Sequence, residues 1–244
     1  MGIVNVTPDS FSDGGKYNTP AEAIRRACNL IEEGAEIIDI GGESTRPGAT
    51  PISWEEEWAR ISPVIEGLGS RLSLSAFRIS VDTYHPETAE RAVKAGVKII
   101  NCVYAEPISD MVRILSGAAQ DTELVLPASS FGTGLSAFAD RIYLDPMIGF
   151  GTTREEDLAL LQGIPELARK GRVLIGASRK RIVKKLTGEK VPGKDLAGNL
   201  TIALWAALKG ASIVRVHDVR ETVQALNVLS ALRGPEAAAR EFMV

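Results

Sequence analysis

Short runs of β-branched and other apolar residues recur along this chain, each preceded by a glycine and each ending in a polar residue. In "GAEIID" (34–39), "GVKIIN" (96–101) and "GASIVR" (210–215) the glycine follows a helical segment. A glycine there suits the left-handed position that closes a helix. The apolar run that follows reads as a strand buried on both faces. "GRVLIGAS" (171–178) keeps the plan with Gly176 in the polar slot. Extended over the whole chain, the pattern predicts strands at 2–7, 36–41, 78–82, 98–103, 122–127, 142–145, 172–177 and 212–217. Helical periodicity occupies 20–33, 54–68, 86–95, 109–119, 153–170, 196–209 and 219–233. Pro20 and Pro86 fall where a first helical turn tolerates proline.

Eight strands alternating with helices predict a parallel sheet of the α/β class, and eight such units close into a (β/α)8 barrel. A doubly wound open sheet is the rival, but it calls for a phosphate fingerprint such as G-x-G-x-x-G after the first strand, and none is present. Without a linker or low-complexity stretch, residues 1–244 read as a single domain. One unit is short. Between the fifth and sixth strands only "SSFGTGLSAFAD" (129–140) remains, at the lower limit of about a dozen residues for a parallel crossover. Phe131, Leu135 and Phe138 within it are expected to plug the gap over the strands and leave the barrel closed.

Composition narrows the class of protein. A chain of 244 residues that is 45% hydrophobic and 24% charged can bury a substantial core, and a net charge of −3 argues against nucleic acid as the main partner. Cys28 and Cys102 both sit in apolar segments, which argues against a disulfide framework or a Cys-based zinc site. No apolar run reaches membrane-spanning length, so no membrane partner and a cytoplasmic location are expected.

The candidate chemistry lies where the strands end. In a (β/α)8 barrel the C-terminal ends of the strands open on the face that carries the active site. Here those tips supply Asn5, Asp39, Asp82, Asn101, Asp145 and Arg215, with His217 two residues on and so on the same side of its strand. Loops just beyond add Thr45 and Arg46 from "ESTRPG", and Ser178, Arg179 and Lys180 from "ASRKR". Any one such residue is ordinarily solvated or capping the next helix; six tips on one rim are not so easily explained. Carboxylates and amides satisfy a flat heterocycle rich in N–H groups. Lys180, Arg215, Arg46 and His217 suit a phosphate or carboxylate, and Asn5 beside a diphosphate suits Mg2+. Arg179 diverges from its neighbour and reads as surface or packing. His85 reads as a solvated or capping helix flank, Cys102 as a small packed hydrophobe on the opposite side of its strand from Asn101, and Trp54, Trp58 and Trp205 as packing of the outer helices. The first strand delivers Asn5 and Thr7 into "PDSFSDGG", a loop longer than a plain strand-to-helix link needs.

"GIVNVTPDSFSDGG", "IIDIGGESTRPGA", "SVDTYHPETAE", "LDPMIGFGT", "GASRKR" and "IVRVHDV" together resemble the dihydropteroate synthases, in order and over nearly the whole chain. The resemblance implies a TIM barrel that condenses hydroxymethyl-dihydropterin diphosphate with p-aminobenzoate and releases pyrophosphate in folate synthesis, with Mg2+ and as a homodimer. It implies that Asp82, Asn101, Asp145 and Lys180 hold the pterin and that Asn5, Arg215 and His217 hold the diphosphate with Mg2+. It further implies that Thr45, Arg46 and Ser178 shape the p-aminobenzoate pocket, that "PDSFSDGG" closes over the reacting centre, that Asp39, Asp82, Lys180 and Arg215 form the catalytic set, and that Phe150 of "DPMIGFGT" joins the substrate contacts. The chain departs from the family at Cys102, where Asp is usual, at Met147, where Gly is usual, at Thr152, where Lys is usual, and in "LVLPASS". These departures keep two other readings open. One is a catalytically weak pterin-binding paralogue. The other is a barrel of the pterin-dependent methyltransferase type, against which the "TPDSFSDGG" and "STRPGA" loops speak.

Overall fold

The computed structural model describes residues 1–7, 19–44, 48–71, 77–132, 135–191 and 193–234. Eight parallel strands follow one another around a single sheet in chain order: β1 (Gly2–Asn5), β2 (Ile37–Gly41), β3 (Arg78–Asp82), β4 (Ile99–Asn101), β5 (Glu123–Pro127), β6 (Ile142–Asp145), β7 (Arg172–Ile175) and β8 (Ile213–Val214). A bridge between Gly2 and Val216 joins the last strand to the first. There Ile3 N–H donates to the Val216 carbonyl at 3.2 Å and Val216 N–H to the Met1 carbonyl at 2.9 Å, so the barrel closes. Every predicted strand is present, most of them a residue or more shorter than predicted at one end or the other.

The helices are α1 (Pro20–Glu32), α2 (Trp54–Arg71), α3 (Pro86–Lys94), α4 (Ile108–Gly117), α5 (Arg154–Gln162), α6 (Ile164–Lys170), α7 (Arg181–Thr187), α8 (Leu196–Leu208) and α9 (Val219–Arg233). Local chemistry fixes their starts. Thr19 and Thr153 each close a capping box with the glutamate three residues on, Glu22 and Glu156. Pro20 and Pro86 open α1 and α3 as expected. The single helix predicted over 153–170 is two, broken at Gly163 before Pro165, which cannot continue the hydrogen-bond ladder of the preceding turn. Gly34, Gly96 and Gly210 do take left-handed φ values of 101°, 91° and 100°. Gly171 does not: its φ of 174° is extended backbone open to any residue, so the fourth repeat shares the strand but not the helix closure.

Alternation along the strands divides the buried residues into two cores. One lies between sheet and helices. The other, formed by Met1, Ile37, Ile99, Val125, Tyr143, Leu174 and Ile213, fills the barrel interior. Below it, at the N-terminal ends of the strands, Glu123 pairs with Arg78 at 2.5 Å and with Arg172 at 2.6 Å. Two residues further along the even strands, the inward positions become Asp39, Asn101, Asp145 and Arg215. Four residues from alternate strands form one layer in this architecture, and here that layer is polar and sits on an apolar floor.

The shortened unit between β5 and β6 holds two short 3-10 segments, Ala128–Ser130 and Ser136–Arg141. Leu135 is buried in the outer core, and Phe131 and Phe138 pack half-buried against it, which is the plug the sequence led us to expect. Arg141, itself buried, does what a missing helix would otherwise do. Its guanidinium donates to the carbonyls of Thr122, Leu115 and Ala119 at 2.9, 3.0 and 2.9 Å, and so ties the start of β6 to the end of α4.

Candidate active site

Arg215 is the hub of the polar layer. Its Nε donates to Asp39 Oδ2 at 2.6 Å and its Nη2 to Asp82 Oδ2 at 2.7 Å. Asn101 Nδ2 donates to the same Asp39 oxygen at 3.3 Å. Side-chain exposure is 0% for Asp39, 11% for Asp82 and 17% for Arg215. The second oxygens of Asp39 and Asp82, and Asn101 Oδ1, are buried with no hydrogen-bond partner. A buried acceptor left unpaired costs about 1–3 kcal/mol. Three of them in one barrel mouth mark a surface built to receive donors.

Burial sets the protonation of this group. It pushes the Asp82 carboxyl up to about 7, against the pull of Arg215 and with a further push from Asp39. It raises Asp145 as well, opposed by Lys180 and by the Met147 N–H that donates to Asp145 Oδ1 at 2.7 Å. Burial lowers Lys180 to about 8, with Asp145 pulling the other way. Burial also opposes the charge on Arg215, but Asp39 and Asp82 outweigh it and hold the guanidinium charged. Asp82 at the rim and Lys180 just beyond β7 therefore titrate close to neutrality.

Lys180 donates to the Ile148 carbonyl at 2.6 Å, and its ammonium lies 4.3 Å from the centre of the Phe150 ring. This brings Phe150 to the cluster. Asn5 sits half-buried at the tip of β1, where its Oδ1 borders Gly41 on β2 next to Asp82. Gly42, next in the chain, leaves no room for a side chain: a Cβ there would meet Ile61 at 2.8 Å and Glu57 at 3.0 Å. Ser178 and His217 form a pair of their own, Oγ to Nδ1 at 3.1 Å, across the ends of β7 and β8. Arg215, expected to serve the diphosphate, gives its Nε and Nη2 to the carboxylates of Asp39 and Asp82. Thr45, Arg46 and the "PDSFSDGG" loop lie outside the described residues.

The secondary expectations divide. Cys102 is buried in the outer core, its Sγ donating to the Tyr104 carbonyl at 3.4 Å and its thiol pushed up by burial to about 11, as fits a packed and unreactive residue. Arg179 is a packing residue: its Nη2 donates to Asp218 at 2.6 Å and its N–H to Asn199 at 2.8 Å. His85 is corrected. It stands at the start of α3, but its side chain makes no capping bond. Its Nε2 lies instead 3.0 Å from Glu43 Oε2, while Tyr84 donates to the other oxygen of Glu43 at 2.7 Å. Among the described residues no group of three or more His, Cys, Asp or Glu side chains could hold a metal. That leaves Asn5, a single hard oxygen donor, suited to Mg2+ only when substrate phosphate oxygens complete the shell.

Comparison with known proteins gives this arrangement relatives. A family described as pterin binding enzyme matches residues 1–130 and 133–217. The dihydropteroate synthase of Escherichia coli strain K12 is 36% identical over 258 residues, covering 95% of this chain and 90% of that protein. That of Staphylococcus haemolyticus is 38% identical, with 97% and 95% covered. The structure of Xanthomonas albilineans dihydropteroate synthase with 4-aminobenzoic acid superposes with a TM-score of 0.83 at 40% identity, over 96% of this chain and 93% of the other.

Proposed function

The chain belongs to the dihydropteroate synthase family, and from that membership we propose that it is a transferase of folate biosynthesis that joins p-aminobenzoate to a hydroxymethyl-dihydropterin diphosphate and releases pyrophosphate. The observation that carries the reading is the set of unpaired acceptors, Asp39 Oδ1, Asp82 Oδ1 and Asn101 Oδ1, gathered over the apolar floor of the barrel. A pterin edge presents N–H donors in one plane, and ionised carboxylates accept such donors in parallel.

In the step itself the bond between the methylene carbon and the diphosphate oxygen breaks, and the electron pair leaves with pyrophosphate. The amine nitrogen of p-aminobenzoate gives its lone pair to that carbon and then loses a proton. Positive charge spreads over the pterin as the diphosphate departs. Asp39, Asp82 and Asp145, held in a dry site, oppose it with fixed negative charge that needs no reorganisation. Lys180, whose strongest charged neighbour is Asp145, holds the ring through its ammonium, and Phe150 excludes water beside it. His217 and Arg215 are assigned to the diphosphate, and Ser178, paired with His217 at 3.1 Å, to the p-aminobenzoate pocket beside it. Asn5, together with the substrate's phosphate oxygens, would hold Mg2+, which would supply charge neutralisation to the leaving pyrophosphate. Thr45 and Arg46 are assigned to p-aminobenzoate.

The finer proposals follow from the same premise. Residues 1–244 act as one domain and work as a homodimer in the cytoplasm. Trp205, Leu208, Val228 and Leu232 on α8 and α9 are exposed by 40–81% and offer an apolar contact between subunits. No described helix is long and apolar enough to cross a membrane. The test is direct: protein, pterin diphosphate, p-aminobenzoate and Mg2+ are mixed, and dihydropteroate and pyrophosphate are measured. Equal amounts of the two products support the reading; tight pterin binding without product supports the weak paralogue instead. Light scattering at micromolar concentration tests the dimer.

A further inference from the structure

The segment between β6 and α5 contains Thr152, where the family usually has Lys, and it is fastened by a residue to which no role has been given. Asp157 is 1% exposed and lies in the first turn of α5. Its Oδ1 accepts the Gly149 N–H at 2.8 Å and the Thr152 hydroxyl at 2.5 Å, and Thr152 Oγ1 accepts the same Gly149 N–H at 3.0 Å. From the other side Arg181 donates to the Thr152 carbonyl. The segment so held bears directly on Lys180. Ile148 receives the ammonium at 2.6 Å, Phe150 covers it, and Gly149 lies so close that an added Cβ would stand 3.0 Å from Lys180 Cδ. Gly149 also has a φ of 78°, and Met147, which donates to Asp145, has a φ of 66°. A conformation that non-glycine residues rarely adopt persists only where surrounding contacts over-determine it.

We propose that Thr152 and Asp157 are positioning residues for Lys180: together they fix the Gly149 N–H, and with it the Ile148 carbonyl and the Phe150 ring that orient the Lys180 ammonium toward the pterin. The proposal rests on the reading that Lys180 holds the pterin. It gives the departure at Thr152 a physical content, since a short hydroxyl completes the triangle with Gly149 and Asp157. The charged groups that face Lys180 are Asp145 from β6, Asp82 from β3, Arg215 from beyond β8 and Asp157 from α5.

The variants that test it are Thr152→Val, Thr152→Ser, Asp157→Asn and Lys180→Met. Thr152→Val removes the hydroxyl at nearly constant shape. Its KM for pterin diphosphate should rise about five- to tenfold, the scale of one lost hydrogen bond, while KM for p-aminobenzoate stays within about twofold. A loosened segment lets water reach Lys180, so the alkaline limb of kcat/KM should move upward from about 8. Thr152→Ser should restore both quantities, and Asp157→Asn should raise KM for pterin diphosphate as Thr152→Val does, while the loss of its negative charge near Lys180 offsets the upward move of the alkaline limb. A purely structural role would lower the Tm of Thr152→Val but leave the alkaline limb and the ratio of the two KM values where they were, and that result overturns the proposal. So does failure of Thr152→Ser to recover. Calorimetric titration of Lys180→Met with a diphosphate-free pterin analogue separates the premise from the inference. Unchanged affinity removes both, whereas lost affinity in Lys180→Met with an unaffected Thr152→Val removes the inference alone.

Discussion

Replacing Arg215 with alanine is the sharpest perturbation of the site, because it leaves two carboxylates together without their cation. Asp39 and Asp82 each give one oxygen to the guanidinium, at 2.6 and 2.7 Å, and their side chains are 0% and 11% exposed. Water cannot take the place of the lost partner on the buried side. Breaking a buried ion pair in this way costs about 3–5 kcal/mol, a large part of the roughly 5–15 kcal/mol that holds a domain together.

A proton can stand in for the lost charge, and this gives the experiment its sign. Asp82 already lies at about 7 with Arg215 pulling it down; without Arg215 it rises further. A carboxyl whose folded pKa exceeds its unfolded value of about 4 takes up its proton first in the folded state, so stability falls as pH rises through that interval. The interval is wider in Arg215→Ala, and its deficit should be largest near pH 8 and shrink toward pH 5. Arg215→Lys, which keeps a point charge but not two diverging donors, should fall between. Urea unfolding without ligand at three pH values measures all of this. A deficit that is the same at each pH, or one no larger than the ~1 kcal/mol of an exposed pair, would refute the reasoning.

The other expected outcomes can be stated briefly. Asp145→Asn should weaken binding of a pterin analogue by about 1.5–3 kcal/mol, read by calorimetry, because an amide presents a donor where an acceptor is wanted. The profile of kcat/KM should be a narrow bell, falling below about 7 as Asp82 takes a proton and above about 8 as Lys180 loses one. Arg141→Met should cost at least the ~1.5–3 kcal/mol of one hydrogen bond to a charged group in chemical denaturation, with pterin affinity unchanged, since Arg141 lies at the opposite end of β6 from Asp145.

The barrel and its rim were legible because both follow from local alternation. An apolar run with a polar residue at a fixed offset places Asp39, Asn101, Asp145 and Arg215 on the inward face whatever the remainder of the chain does. Helix α7 was missed because its seven residues, "RIVKKLT", are too few for a periodicity to show. The partners of the site were missed for a different reason. Asp157 reads as one more acid in a helix's first turn, and Glu43 as one residue of a loop motif. What gives them partners is the meeting of β6 with α5, and of the loop after β2 with the start of α3, which no single stretch of sequence records. A buried carboxylate beside a left-handed non-glycine residue is visible only once the backbone is in place.

The lost helix between β5 and β6 can be tolerated because it belongs to the outside of the barrel, while the chemistry belongs to the inside. At the rim β5 contributes Pro127, not a charged group, so the geometry that matters in this unit is that of Asp145 at the end of β6. That strand is held at both ends. Arg141 fastens its start to three carbonyls around the end of α4, and Met147 N–H fixes the Asp145 carboxylate at its tip. Leu135 buries apolar surface over the gap, worth roughly 1.5–3 kcal/mol for such a side chain. Beneath Asp145, Tyr143 and its neighbours form the dry floor of a site where burial shifts the Asp82 and Asp145 carboxyls upward and one oxygen each of Asp39, Asp82 and Asn101 is left unpaired. The same exclusion of water strengthens every contact a donor-rich ligand makes there. Trimming a helix from the outer layer touches none of these supports.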